Sequence, residues 1–146
     1  MTSKLIIVDD HKLFRDGLKL LIDTIDNVSV IAEASNGQEY LDIIDKQKPD
    51  IVFMDMYMPV LDGIEATIRS LQKYPGLKII ALSMFGDQEY YYKMINAGVK
   101  GFVLKNSGGT ELTEAIHAVI KGNSFFSQEL LRNIIIDIST EKQAQP

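Results

Sequence analysis

Four short apolar runs of this 146-residue chain end directly before residues that phosphate chemistry requires. The runs cover residues 5–8, 51–54, 79–82 and 102–104, and the residues that follow them are Asp9 with Asp10, then Asp55, Ser83 and Lys105. Parallel strands of one sheet end along one edge, which is where open α/β sheets bind their ligands. If the runs are such strands, three carboxylates, a hydroxyl and an ammonium share one pocket.

Three carboxylates in one pocket predict a divalent cation. Asp9, Asp10 and Asp55 would repel one another when ionised, and one of them would tend to keep a proton. Mg²⁺ removes this conflict, because it binds few carboxylates and keeps waters and phosphate oxygens as its other ligands. Asp55 can then attack phosphorus and form an aspartyl phosphate, while Lys105 and Ser83 contact phosphoryl oxygens.

Each of these residues also has an ordinary structural explanation. Asp9 and Asp10 suit the first turn of a helix, where carboxylates interact favourably with the helix dipole. Asp55 suits a turn, Ser83 suits a helix cap, and Lys105 is one lysine among many. All of these explanations would have to hold at once, so the shared pocket is the better interpretation.

Predicted strands and helices alternate from residue 4 to about residue 121. Apolar runs predict the strands, and apolar residues at helical spacing predict the helices. The predicted strands are 4–8, 28–34, 51–54, 79–83 and 102–104. The predicted helices, counted with their caps, are 12–25, 36–44, 62–74, 87–97 and 110–121. This alternation predicts an α/β fold, a doubly wound five-stranded parallel sheet with helices on both faces.

Particular side chains mark the predicted helices. The apolar stripe of the first helix consists of Leu13, Phe14, Leu18, Leu21 and Ile22. Asn36 with Glu39 and Asp62 with Glu65 form capping boxes, and Asp87 is the predicted N-cap of the fourth helix. That helix carries residues 90–92, three consecutive tyrosines that cannot all face the core. We expect at least one to be exposed and suited to an interface.

The end of the chain differs from the alternating part. Residues 127–138 predict an extra C-terminal helix. Its apolar stripe consists of Leu130, Leu131, Ile134, Ile135 and Ile138. Either the stripe packs back on the domain or it meets a second domain or subunit, and we favour an interdomain or dimer role.

Composition excludes several kinds of site. The chain has no cysteine, which rules out disulfides and cysteine-bound zinc and fits a cytoplasmic protein. The net charge is −5 and the basic residues are scattered, which argues against direct DNA binding. The amino terminus does not resemble a signal peptide, and no apolar run approaches bilayer length, so no membrane contact is expected. His11 and His117 have no partners at metal-ligand spacing. We expect His11 to be a structural or pocket-rim residue and His117 to lie on a helix surface.

Taken together, the motifs at the predicted strand ends resemble the receiver domain of response regulators over residues 4 to about 121. The motifs are Ile7-Val8-Asp9-Asp10-His11, Met54-Asp55-Met56-Tyr57-Met58-Pro59, Asp62-Gly63, Leu82-Ser83-Met84, Ala97-Gly98-Val99-Lys100-Gly101-Phe102 and Leu104-Lys105. The segments around His11, Met84 and Phe102 are most similar to the NarL/FixJ subfamily. The resemblance implies a flavodoxin-like (βα)₅ fold and a signalling switch of a two-component system.

The resemblance also implies a role for each pocket residue. A sensor histidine kinase would phosphorylate Asp55, and the domain would catalyse only its own phosphorylation and dephosphorylation. The Mg²⁺ ligands would be Asp55, Asp10 directly, Asp9 mostly through water, and the backbone carbonyl of Tyr57. Lys105 would pair with the phosphoryl group.

The implied switch consists of two residues. Ser83 would swing toward the phosphoryl group, and Phe102 would turn inward to fill the space behind it. The surface of the fourth helix and fifth strand would then shift and change the affinity for partners.

The chain departs from the receiver pattern at several positions. Asn106 follows the lysine where receivers often have proline, so a cis peptide bond there would cost more. The switch hydroxyl is Ser83 rather than threonine, so its χ1 angle is less restricted. Met84 stands where many receivers have a smaller residue. Tyr57 and Phe85 would flank the phosphoryl group and hinder the attacking water, which predicts slow self-dephosphorylation.

Domain organisation follows from the same resemblance. We expect residues 1–123 to form the receiver domain and residues 124–146 to form the C-terminal helix and the start of a linker. NarL/FixJ members usually continue into a helix-turn-helix domain, which this chain lacks, so contact with DNA would need that missing domain. A naturally single-domain receiver is the alternative. The expected partners are a sensor histidine kinase and, after phosphorylation, a second copy of the chain.

Two other functions fit the pattern less well. A phosphatase of the haloacid-dehalogenase type favours a second aspartate two residues beyond the nucleophile, where this chain has Tyr57. A flavin or nucleotide binder needs a glycine-rich phosphate loop after the first strand. The residues there are Asp9-Asp10-His11-Lys12, whose carboxylates repel phosphate.

Overall fold

Five successive strand–helix units and a short sixth strand make up the fold. The computed structural model describes residues 2–84, 88–128, 131–132, 135–136 and 138–139. The strands are β1 Ser3–Val8, β2 Val28–Ala34, β3 Ile51–Asp55, β4 Lys78–Ser83, β5 Gly101–Leu104 and β6 Phe125–Phe126. The helices are α1 Lys12–Asp23, α2 Gly37–Gln47, α3 Gly63–Lys73, α4 Gln88–Ala97 and α5 Gly109–Ile120. All strand pairs are parallel, and the order in the sheet is β2-β1-β3-β4-β5-β6.

Alternation of side chains along the strands divides the core into two layers. In β1 and β3, even-numbered residues such as Ile6, Val52 and Met54 pack against α2, α3 and α4. Odd-numbered neighbours such as Leu5 and Phe53 pack against α1 and α5. Successive side chains of a strand point to opposite faces, so strands buried on both sides are continuously apolar. The structure thus confirms the predicted doubly wound α/β fold.

The sheet differs from the prediction by one strand. β6 contains only two residues and pairs Gly101 with Phe125 and Phe102 with Phe126. A two-residue strand is too short to show either the alternation or the apolar run by which a strand is recognised. The helix ends also differ, because α1 stops at Asp23 and α2 continues to Gln47.

One residue of the predicted apolar stripe lies on the wrong side of α1. Leu18 and Ile22 are buried, and Phe14 and Leu21 pack against the same core, but Leu13 is 86% exposed. Leu13 precedes Leu18 by five residues, so at about 100° per residue it points well away from the stripe. The prediction for Leu13 is therefore wrong.

Side-chain caps fix the starts of two helices, as the capping-box pattern predicts. The Asn36 side chain accepts a hydrogen bond from the Glu39 backbone N–H at 2.9 Å, and Asp62 accepts one from Glu65 at 2.9 Å. The Glu39 carboxylate reaches back to the Ser35 N–H, one residue before the cap. The predicted cap Asp87 lies outside the described residues.

The described part of the C-terminal segment has helical backbone at residues 128, 131–132, 135–136 and 138–139. Leu131, Ile135 and Ile138 of the predicted apolar stripe are exposed, and Leu130 and Ile134 lie outside the described residues. On α4, Tyr91 is buried while Tyr90 and Tyr92 are partly exposed. The described helices include none with the length and apolar character needed to cross a bilayer.

Candidate functional site

The strand register brings the predicted pocket residues to one edge of the sheet. Val8 pairs with Met54, which sets Asp9 and Asp55 side by side immediately beyond β1 and at the end of β3. On the other side of β3, Ser83 ends β4 and pairs with Leu104. The backbone N–H of Lys105 then donates to the Ser83 carbonyl at 2.7 Å.

A buried ion-pair network forms the centre of the site. Asp9, Asp55 and Lys105 are all buried. The Lys105 Nζ atom lies 2.6 Å from Asp9 Oδ2 and 3.3 Å from Asp55 Oδ2. It also lies 4.9 Å from the centre of the Phe14 ring, a cation–π contact that sequence reasoning did not predict. One ammonium therefore faces two buried carboxylates, with Asp10 close by.

This environment changes the acidity of Asp55. Burial first and the neighbouring Asp9 charge second raise the pKa of its carboxyl from 3.8 to about 7. The Lys105 ammonium opposes both effects but does not cancel them. The positive charge near Asp55 is therefore too small to balance the negative charge around it.

The structure adds His11 to the carboxylate cluster. Its Nδ1 atom lies 3.1 Å from Asp9 Oδ1 and 3.3 Å from Asp10 Oδ1. One ligand atom each from Asp9, Asp10, His11 and Asp55 all lie within 4.8 Å of one another. The prediction that this histidine has no metal-ligand partners is wrong, because Asp55 comes from a different strand and sequence spacing does not reveal it.

Two local interactions position the loop that carries Asp9 and Asp10. The Asp9 side chain accepts a hydrogen bond from the His11 backbone N–H at 2.8 Å. Arg15 on α1 donates to the Asp9 backbone carbonyl, and its Nε atom lies 3.5 Å from a Glu33 carboxylate oxygen. Arg15 was missed by sequence reasoning, since a single arginine on a helix gives no signal of its own.

The loop after Asp55 is packed against the start of α3. The Gly63 N–H donates to the Met56 carbonyl at 3.0 Å, and a Cβ atom on Gly63 would lie only 2.0 Å from the Asp55 carbonyl oxygen. Val60 in this loop has φ of 71°, a conformation that β-branched residues rarely adopt. Glycine is therefore required at position 63 to let the loop approach the helix.

Aromatic residues line the α4 side of the site. Tyr57 is 43% exposed, and its ring centre lies 4.5 Å from that of Tyr90. Phe102 is fully buried, and its ring packs edge-on against Tyr91 with centres 5.2 Å apart. Phe102 thus already lies inside the core.

The remaining predicted site residues occupy different environments. Ser83 is buried and Met84 is 51% exposed, while Phe85 lies outside the described residues. Asn106 is exposed, and the described part of the chain contains no cis peptide bond.

The donor set of the pocket suits a hard divalent cation. Carboxylate oxygens are the protein ligands that Mg²⁺ prefers. The Oδ2 atoms of Asp9 and Asp55 are buried, and no hydrogen bond of standard geometry reaches them in the described part of the chain. The ammonium of Lys105 is their ionic partner. A cation bound by the three aspartates would compensate the excess negative charge.

Comparison with known proteins agrees with this geometry. Residues 5–117 match the family model of the response regulator receiver domain. The transcriptional regulatory protein DegU of Brevibacillus brevis is 32% identical over 132 residues, which cover 90% of this chain and 56% of DegU. This chain therefore spans little more than half the length of that relative.

Solved structures show the same fold. A LuxR-family response regulator from Aurantimonas superposes with a TM-score of 0.90 at 32% identity, covering 95% of this chain and 99% of that one. The isolated receiver domain of RcsB from Salmonella enterica, with the phosphomimetic BeF₃⁻, superposes with a TM-score of 0.85 at 26% identity. That match covers 90% of this chain and 98% of the RcsB domain. The carboxylate pocket lies at the sheet edge that the motifs predict. The chain belongs to the response regulator receiver domain family.

Proposed function

We propose that Asp55 is the phosphoacceptor of this receiver domain. The observation that carries the proposal is the position of its carboxylate, buried at the end of β3 with the Lys105 ammonium 3.3 Å away. In the proposed step, an Asp55 oxygen forms a bond to phosphorus while the P–N bond of a kinase phosphohistidine breaks. The released imidazole nitrogen takes up a proton. The domain catalyses this transfer and the later hydrolysis of its own acyl phosphate, and no other reaction.

Asp9, Asp10 and Asp55, with the backbone carbonyl of Tyr57, would hold Mg²⁺. When bound, the cation supplies positive charge that favours ionised Asp55 and a phosphoryl group beside it. Lys105 supplies the opposite charge to one phosphoryl oxygen, and the Ser83 hydroxyl donates to another. The raised pKa of Asp55 supports the need for a cation, because burial and the Asp9 charge disfavour its ionised form.

Ser83 and Phe102 would transmit the phosphorylation to α4. Phe102 already lies in the core against Tyr91. A movement of Ser83 would therefore change the packing of this ring pair. A small rearrangement of packed rings is enough to bias a surface between two states. The α4–β5 surface is therefore the proposed output of the switch.

The proposed domain organisation places the receiver at residues 1–123 and a helix with the start of a linker at residues 124–146. The exposed apolar residues Leu131, Ile135 and Ile138 support a contact with a second domain or a second copy of the chain. We propose a cytoplasmic response regulator that is phosphorylated by a sensor histidine kinase and dimerises on phosphorylation. It would reach DNA through a helix-turn-helix domain outside this chain.

Incubation with acetyl phosphate and Mg²⁺ should add one phosphoryl group to the protein, detected by intact mass spectrometry. Asp55→Asn should abolish the addition, because an amide oxygen is too weak a nucleophile. Asp16→Asn on the exposed face of α1 is the matched control and should be modified like the wild type. A wild-type protein that stays unmodified with acetyl phosphate and with phosphorylated kinase would contradict the proposal.

The lifetime of the phosphorylated state should depend on Tyr57 and Phe85, the aromatic residues two positions beyond Asp55 and Ser83 in the sequence. Tyr57 is held beside the site by its contact with Tyr90, where it hinders the attacking water. We expect Tyr57→Asn and Phe85→Ala to shorten the lifetime by up to about tenfold, equivalent to roughly 1.4 kcal/mol in the barrier. The decay of phosphorylated protein after removal of the donor measures it, with Tyr92→Ala as the control. Unchanged lifetimes in both variants would rule out shielding.

A further inference from the structure

The imidazole of His11 gives the carboxylate pocket a nitrogen donor. Its Nδ1 atom is 3.1 Å from Asp9 Oδ1 and 3.3 Å from Asp10 Oδ1. Two ligands about 2.0–2.1 Å from one metal ion lie roughly 2.8 to 3.4 Å apart when they subtend octahedral or tetrahedral angles. Both distances from the imidazole nitrogen to a carboxylate oxygen therefore match the spacing of adjacent ligands of a single ion.

A cation already lies among these donor atoms. The Nζ atom of Lys105 is 3.2 Å from His11 Nδ1 and 2.6 Å from Asp9 Oδ2. An ammonium can only donate hydrogen bonds, so in the tautomer that leaves Nδ1 unprotonated this contact uses the nitrogen lone pair that a metal ion would use. The imidazole is thus directed toward positive charge within the pocket, although its ring is largely exposed on the outer side.

The chemistry of the donors then decides which ion is preferred. Mg²⁺ selects oxygen ligands and retains its waters, so an imidazole adds little to its binding. Zn²⁺ forms strong bonds to imidazole nitrogen and accepts carboxylates as further ligands. A site with Asp9, Asp10 and His11 on one short loop therefore has a ligand set suited to Zn²⁺.

We propose that His11 makes this pocket a mixed nitrogen–oxygen site that binds Zn²⁺ through the His11 imidazole and the Asp9 and Asp10 carboxylates, in competition with Mg²⁺. The proposal rests on the assignment of these carboxylates to the Mg²⁺ site. Zn²⁺ in the pocket would exclude Mg²⁺, so the metal-ion composition around the protein would control how readily Asp55 is phosphorylated. His11 acts here as a selectivity residue and takes no part in phosphoryl transfer.

The test measures affinities for Zn²⁺ and Mg²⁺ by calorimetric titration at pH 7.5 for the wild type, His11→Asn and His117→Asn. His11→Asn replaces the nitrogen donor with an amide that offers oxygen, which favours Mg²⁺. The ratio of Zn²⁺ to Mg²⁺ affinity should fall about tenfold or more. His117 lies on the exposed surface of α5, so His117→Asn should leave the ratio at the wild-type value.

A spectroscopic measurement identifies the ligand directly. Co²⁺ binding to the wild type should produce a visible absorption band that shifts or weakens in His11→Asn, and excess Mg²⁺ should reverse the band. The inference is overturned if Zn²⁺ fails to bind, if Mg²⁺ does not displace it, or if His11→Asn binds both ions in the wild-type ratio. An equal loss in His117→Asn would also overturn it, since it would place the Zn²⁺ on the surface.

The phosphorylation assay separates this inference from the proposed function. Wild-type protein that is phosphorylated with acetyl phosphate and Mg²⁺, but whose Zn²⁺ affinity does not depend on His11, keeps the proposed function and loses the inference. If Zn²⁺ binding depends on His11 but the protein is never phosphorylated, the inference is kept and the proposed function is lost.

Discussion

Asp55→Asn should make the metal-free protein more stable at pH 8, by about 2–4 kcal/mol. The pKa of Asp55 rises from 3.8 to about 7 on folding, so between these pH values the folded chain keeps a proton that the unfolded chain releases. Stability therefore falls as pH rises through this window. Above pH 7 the wild type carries the whole cost of an ionised, buried carboxylate, and the asparagine variant carries none.

Unfolding with urea in the presence of EDTA, at several pH values from 4 to 8, measures this effect. The variant should be clearly more stable at pH 8 and nearly equal to the wild type at pH 4, which lies close to the pKa of 3.8 for unfolded Asp55 and well below that of the folded state. Mg²⁺ should stabilise the wild type more than the variant, because binding to the folded state adds to its stability. Asp16→Asn controls for the loss of one surface charge. A variant no more stable than the wild type at pH 8 would contradict this account of the pocket.

Among substitutions in the site, Gly63→Ala should lower the stability of the protein most. A Cβ atom at this position would lie 2.0 Å from the Asp55 carbonyl oxygen, 2.9 Å from its carbonyl carbon and 3.0 Å from the Met56 Cα. All three atoms belong to the backbone, so no side-chain rotation can relieve the clash. Overpacking typically costs about 1–3 kcal/mol and sometimes more, and we expect at least the upper value here.

The clash would also move the residue that is proposed to react. Asp55 and Met56 would have to shift away from α3, so the rate of phosphorylation by acetyl phosphate should fall along with stability. Gly17→Ala is the matched control, because nothing lies within 4 Å of a Cβ at that position in α1. Alanine is favoured over glycine in a helix by about 1 kcal/mol, so this variant should be slightly stabilised. Equal stability of Gly63→Ala and the wild type would contradict the steric argument.

Sequence alone determined the features that depend on local pattern. The apolar runs identify β1, β3, β4 and β5, because strands buried on both faces show no polar alternation. The capping residues Asn36 and Asp62 identify two helix starts to within one residue, because a side-chain cap acts within a single turn. The general rule that ligands bind at the carboxyl ends of parallel strands then places Asp9 and Asp55 in one pocket before any coordinates are known.

The tertiary structure decided the features that depend on contacts between distant segments. Sequence spacing cannot show that His11 and Asp55 meet, that Phe14 lies against the Lys105 ammonium, or that Tyr57 packs on Tyr90. The exposure of Leu13 was likewise decided by how α1 is rotated against the sheet. The high pKa of Asp55 depends on burial and on the Asp9 charge, both of which arise only when neighbouring strands align. Local sequence encodes periodicity and caps, whereas distances across the sheet depend on strand register and packing. The existence of the pocket could therefore be predicted from the sequence, but its detailed chemistry could not be predicted.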